Sequence, residues 1–404
     1  MAVEHLPATT ISTRSRLATG LQVAGLAALP LALGPSVAGQ PTSWFAGLAL
    51  VMVGGFIDEG RPRPTPRWAL VAVGVLIISA TTAWANGVEA QALVPNSTAW
   101  LIVLVASAVP ATLVLLRASR PLTVLVIAPL LSMLAIALNT GLANFGVGEI
   151  NLTVAQTSSL TESYIQSAFL TALGCVSAVY AMIAREPNWL PRWASALALA
   201  AGLIALLTFS GRSALLAFLV GSSVMLFHAA LFWRRRRIGL AITATVIITA
   251  AVVIYLSPLG DLLRERLANE SVLEANQNRR AVFQDYAWSL VADHPFGIGW
   301  GSFSNYSGAY LGEAVRSTHL LFTGLVLSVG IGGAVALAIW IFGVLCRSFL
   351  HGSVSAGMTL IAGLTSAFIV QALTDDLTVY PIALPYFMLL FSFSTAIGRG
   401  RHEQ

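Results

Sequence analysis

The sequence predicts an all-α polytopic membrane protein of about 12 transmembrane helices with one large, partly helical extracytoplasmic loop. Three observations carry this. The 404 residues are 57% hydrophobic and only 10% charged, with a mean hydropathy of +0.81, far outside the range of soluble domains. The apolar residues fall in continuous runs, whereas a membrane barrel would show short alternating segments. The charges gather at the ends of those runs, except in one late stretch, Pro258 to His319.

In chain order, the apolar runs are Leu17 to Leu33, Trp44 to Ile57, Trp68 to Trp84, Thr98 to Leu116, Leu122 to Leu138 and Tyr164 to Ala184. They continue as Trp193 to Phe209, Ser213 to Trp233, Ile238 to Ser257, Leu320 to Cys346, Val354 to Leu373 and Tyr380 to Ile397. Arg14 and Arg16 precede the first run, which also has the outline of a signal peptide ending near Val37-Ala38-Gly39 but is long for one. The chain divides accordingly into residues 1–257 with spans one to nine, 258–319 as the loop, and 320–404 with spans ten to twelve and a tail.

All 22 basic residues are arginine. With the N-terminus in the cytoplasm, sixteen of them fall on inner connections or tails and six outside, as the positive-inside rule requires. The expected location is therefore the cytoplasmic membrane, with both termini inside and the long loop outside. The net charge of +5 is spread over span ends and forms no duplex-sized patch, so nucleic acid is not an expected partner and membrane lipids are. Cys175 and Cys346 lie inside apolar runs and have no metal-ligand or disulfide spacing. Neither a metal nor a cofactor is expected.

Arg212 is the outer arginine that lies apart from the long loop. It sits in Ser210-Gly211-Arg212-Ser213, a connection so short that the guanidinium must lie at the membrane boundary. Two readings fit: a paired or anion-binding charge, and an arginine reaching out to lipid phosphate. Among the outer acids, Asp375 and Asp376 follow the eleventh span and can face a polar cavity or pair with an arginine.

Within the loop, Leu259 to Leu273 has leucines at helical spacing and reads as an amphipathic helix. A second helix is expected to be capped by Asn276 or Asn278 and to stop before His294-Pro295, with Val282, Phe283, Tyr286, Ala287, Leu290 and Val291 on one face. Arg279 and Arg280 would then occupy the first helical turn. The macrodipole disfavours arginine there, while free N–H groups favour a phosphate or diphosphate. The alternative is pairing with Asp285, Glu274 or lipid.

Gly297, Gly299 and Gly301 lack the strand and helix of a dinucleotide fingerprint and read as a tight backbone path. Trp300, Phe303, Tyr306 and Tyr310 suit sugar stacking or an interfacial aromatic belt. Arg316 and His319 close the loop. An imidazole there suits either a structural hydrogen bond or a general base acting on a hydroxyl.

The order of these features resembles the O-antigen ligase and Wzy-type polymerase superfamily of bacterial envelope glycosyltransferases. The matching elements are Ser210-Gly211-Arg212-Ser213-Ala214-Leu215-Leu216, an arginine at 279 or 280 before Trp288, and the run His294-Pro295-Phe296-Gly297-Ile298-Gly299-Trp300-Gly301-Ser302-Phe303. His319 with the downstream Gly330-Ile331-Gly332-Gly333 completes the pattern. Leu320 stands where the family has asparagine, and Ser328 where it has an acid before the glycine.

The resemblance implies transfer of a glycan from a polyprenyl-diphosphate carrier to a hydroxyl of a glycan, lipid or protein acceptor, with no metal or nucleotide sugar. It implies His319 as general base and Arg212, Arg279 and Arg280 as diphosphate ligands. Trp300, Tyr306, Arg316, Asp375 and Asp376 are the candidate substrate-binding residues. The competing reading is a transporter or flippase for a lipid-linked or anionic substrate, which predicts mid-span charges and internal symmetry; neither is evident. A glycosyltransferase using an acidic motif in its first outer loop is disfavoured, because Gly34 to Ser43 has no acid.

Overall fold

The computed structural model describes residues 13–31, 36–37, 40–58, 74, 78, 118–145, 161, 163–184, 187, 189–209, 211–233, 270–299, 302–312, 318, 320–350 and 356–375. Spans expected at Thr98 to Leu116, Ile238 to Ser257 and Tyr380 to Ile397 lie outside these residues. So does all of Trp68 to Trp84 except Gly74 and Ile78, both helical.

Ten helices account for most of the rest: α1 Thr13–Ala28, α2 Thr42–Ile57, α3 Pro121–Phe145, α4 Tyr164–Ala184 and α5 Arg192–Phe209, followed by α6 Arg212–Phe232, α7 Glu270–Asp293, α8 Phe303–Leu311, α9 Leu321–Leu350 and α10 Ala356–Thr374. Six of the described helices, α3 to α6 with α9 and α10, are long and apolar enough to cross a membrane. A two-residue antiparallel ladder, β1 Ser36–Val37 with β2 Gln40–Pro41, joins α1 to α2 and leaves the described structure all-helical in character, as expected.

Helix ends follow local chemistry. α1 stops at Ala28, short of the expected Leu33, because Pro30 cannot continue the backbone ladder. α3 starts on Pro121, where a missing N–H costs nothing, and runs on to Phe145. α5 and α6 are separated by residues 210–211 alone, so they form a tight hairpin.

Burial sorts the spans into two layers. α4 is buried from Gln166 to Ala184, and α10 from Gly357 to Phe368, the pattern of helices that are apolar all round. The helices around them keep one face out: Leu197 and Ile204 on α5, Leu219 and Phe227 on α6, and Ile339 and Phe342 on α9 are exposed, as lipid-facing side chains are. α6 and α10 touch backbone to backbone. A Cβ on Gly221 would lie 2.8 Å from the Gly363 carbonyl oxygen, so this crossing requires small residues.

Candidate functional site

α7 carries the first arginines. It begins at Glu270, not at Asn276 or Asn278, and runs unbroken to Asp293. The helix absorbs Glu270 to Leu273, the end of the expected amphipathic segment. An acid at the first helical position suits the positive end of the dipole. Arg279 and Arg280 are thus the tenth and eleventh helical residues, far from any free N–H groups, which corrects the first-turn placement. The buried stripe Phe283, Ala287, Leu290 and Val291 holds α7 against the bundle and leaves both arginines on the exposed side.

After α7 the chain turns at His294-Pro295 and threads into a break in α9. Gly330 interrupts that helix with φ 73° and ψ 169°. Ile298 N–H donates to the Leu327 carbonyl at 2.6 Å, and Ile331 N–H donates to the Pro295 carbonyl at 3.1 Å. The groups freed by the break are therefore satisfied by the loop. Gly297, at φ 91°, and Gly330 face each other so closely that a Cβ on either would lie 2.7 Å from the other strand's backbone. The glycines at 297 and 330, 33 positions apart in the sequence, are one structural device.

At the same end of the bundle, three elements meet on Asp375, the residue after α10. Its Oδ2 accepts from Ser213 Oγ at 2.7 Å and from Gln371 Nε2 at 2.8 Å, and its Oδ1 lies 4.0 Å from an Arg280 guanidinium nitrogen. Burial pushes the Asp375 carboxyl above the usual carboxylate range, against the opposing pull of Ser213, Arg280 and Gln371. Arg280 is half-exposed, so its outer side is open to solvent. Arg279 instead lies over the Phe283 ring, 5.8 Å from its centroid.

Arg212 is the first residue of α6, exposed, and next to Ser213. Gly211 at the cap makes no side-chain hydrogen bond. The local misfit expected at Arg279-Arg280 is thus found here: a guanidinium at the positive end of a helix whose first N–H groups lack a side-chain cap. The buried Asp375 carboxylate beside this turn is the partner such an end favours. The structure therefore brings Arg280, Asp375 and the Arg212-Ser213 turn together.

A separate aromatic group lines α7 and α8. Tyr286 and Tyr310 stack with centroids 4.6 Å apart and planes 3° apart. Tyr286 Oη donates to the Tyr306 carbonyl at 3.1 Å, and His294 meets Tyr306 edge-on at 5.7 Å. Burial raises both Tyr286 and Tyr306, so they stay neutral donors. Tyr310 is 73% exposed, and its free face is available to a flat partner.

Trp300, Arg316, His319 and Asp376 lie outside the described residues. The neighbours of His319 are described: Thr318 is buried and its hydroxyl donates to the Leu320 carbonyl at 2.9 Å, just ahead of α9. Among the described residues no three His, Cys, Asp or Glu side chains gather as metal ligands. Ser213 and Gln371 were not among the expected site residues. Gln371 had a usable signal, a polar side chain in an apolar span four residues before an acid and so on the same helix face.

No curated protein matches the chain. Residues 196–338 match the family described as O-antigen ligase, a stretch reaching from α5 through the Arg212 turn, α7 and the loop to the broken half of α9. That stretch is similar to the O-antigen ligase family, and it sits in a multi-pass membrane protein.

Proposed function

We propose that the protein transfers a glycan from a polyprenyl-diphosphate carrier to an acceptor hydroxyl at the outer face of the cytoplasmic membrane, as a saccharide polymerase or ligase. The observation that supports this reading most is the convergence of Arg280 and the Arg212-Ser213 turn, both within the stretch similar to the ligase family, on Asp375, which lies beyond it. Two guanidiniums beside a helix N-terminus suit a diphosphate, which needs charge neutralised as it leaves.

In this reading, Arg212 and Arg280 hold the diphosphate, Arg279 adds charge from the adjacent position on α7, and Asp375 aims Arg280. His319 takes the proton of the acceptor hydroxyl as the new glycosidic bond forms and the bond to the diphosphate breaks. The exposed Tyr310 ring receives sugar, with Tyr306, Trp300, Arg316 and Asp376 as further substrate ligands. No metal enters the mechanism. The polyprenyl diphosphate leaves the sugar far more readily once its developing charge is paired by arginine.

The test is transfer from a polyprenyl-diphosphate-linked oligosaccharide in detergent, without metal or nucleotide, by wild type, Arg280→Ala and His319→Ala. Turnover by wild type and its loss by at least about 100-fold in both variants is expected. Full activity of His319→Ala removes the general-base assignment. Unchanged carrier in every sample, with movement of carrier across liposomes, replaces the enzyme with a flippase.

A further inference from the structure

The end of the bundle opposite Arg212 holds a cavity of about 950 Å³ between the first turns of α1, the start of α3 and the α4–α5 connection. That is at the upper end of the roughly 300–1,000 Å³ typical of small-molecule sites. Its ends are fixed independently: Ser15 and Ser119 hydroxyls lie 2.9 Å apart across the α1–α3 approach, and Arg192 Nε donates to the Met182 carbonyl across the α4–α5 connection.

The lining is two-sided. Arg16 and Arg120 stand at the mouth, and Val23, Leu122 and Ile127 form an apolar wall. Arg16 and Val23 are seven residues apart on α1, about 10 Å of helix rise. Among the described residues, neither guanidinium has a hydrogen-bond or ion-pair partner. Asp58, a described carboxylate at this end, is engaged by Ser119 N–H at 3.0 Å and Gln22 Nε2 at 3.4 Å. Trp189 lines the rim and is 63% exposed, in keeping with the headgroup-level position of interfacial tryptophans.

We infer that this cavity is a binding site for an anionic phospholipid, its phosphate between Arg16 and Arg120 and an acyl chain along Val23, Leu122 and Ile127. Charge complementarity argues for an anionic head, since two guanidiniums with no partner among the described residues grip phosphate oxygens well. The apolar wall below them argues for a lipid over free phosphate, which would leave that surface unused. The site is distinct from the Arg280–Asp375 cluster and stands whether or not the transfer reading holds.

Gly20 supplies a test that leaves every charge in place. It lines the cavity, and a Cβ built on it meets nothing within 4 Å, so Gly20→Leu fills the space while improving helix propensity. Purified full-length protein in nanodiscs of phosphatidylcholine with phosphatidylglycerol as the minor component is released into detergent and weighed by native mass spectrometry. Wild type should retain phosphatidylglycerol over phosphatidylcholine. Retention should drop by at least about tenfold, or about 1.4 kcal/mol, in Arg16→Gln/Arg120→Gln, which loses both charge-assisted contacts, and also in Gly20→Leu, which fills the space. Arg14→Gln, which removes a charge at the same end outside the cavity, should keep it. Equal loss in Arg14→Gln, unchanged retention in Gly20→Leu, no lipid preference in wild type, or displacement by millimolar inorganic phosphate would each overturn the proposal.

Discussion

α6 and α10 are tied together at both ends, and the two ties differ in kind. At one end His228 is fully buried; its Nδ1 pairs with Thr359 Oγ1 and its Nε2 with the Ser348 carbonyl, each at 2.9 Å. Phe232 and Phe349 rings close over it at 4.7 and 4.9 Å. At the other end Asp375 takes two neutral donors and then a half-exposed arginine that belongs to α7. A polar group sealed on every side locks a crossing. One left facing an exposed cation keeps a charge available to a ligand. On the proposed reading, chemistry belongs to the Asp375 end and structure to the His228 end, although both side chains are buried polar groups in the same helix pair.

Four substitutions break or sharpen that contrast. Gly221→Leu strikes the crossing between the two ties, placing carbon against the Gly363 carbonyl. It should destabilise by about 3 kcal/mol, the upper end of overpacking, and lower thermal stability and transfer together. His228→Ala leaves two partners unpaired and a hole among the rings, for about 2 kcal/mol. Transfer per folded molecule should be unchanged; a loss of turnover in properly folded protein would end the separation of the two ends.

Asp375→Asn should do the reverse, cutting turnover about tenfold, equivalent to about 1.4 kcal/mol, with a melting temperature equal to or above wild type. Its pH dependence has a definite sign. Burial raises the Asp375 pKa in the folded state, so its contribution to stability is present at low pH and lost as pH rises through the folded value. Wild type should therefore lose stability relative to Asp375→Asn across that rise, measured by melting at stepped pH. Ser213→Ala is the mildest, about 0.6 kcal/mol for one hydrogen bond at a span end, with a turnover loss of about threefold or less.

Much of the fold is legible because one rule dominates in a bilayer: backbone must be satisfied within the segment, so apolar runs become helices. The runs at Tyr164 to Ala184 and Trp193 to Phe209 match α4 and α5 to within a residue. The loop region follows weaker rules. Asn276 and Asn278 are good cap residues, yet α7 continues through them, because a cap preference of about 1 kcal/mol is overridden where the helix is held by a buried stripe. The result moves the anion-site argument from Arg279 and Arg280 to Arg212, whose place at a helix start was implicit in the two-residue connection between α5 and α6.

Hydropathy and arginine placement decide that the chain enters a membrane many times, and the motifs around Arg212, Pro295 and Gly330 mark where the unusual backbone lies. Only packing in three dimensions decides which polar residues share a site. Asp375 lies 162 positions from Ser213 and 95 from Arg280, separations at which periodicity and local propensity carry no information. The pairing of Gly297 with Gly330 is of the same kind: each glycine is visible alone, but the reason for both is a single close approach of two backbones.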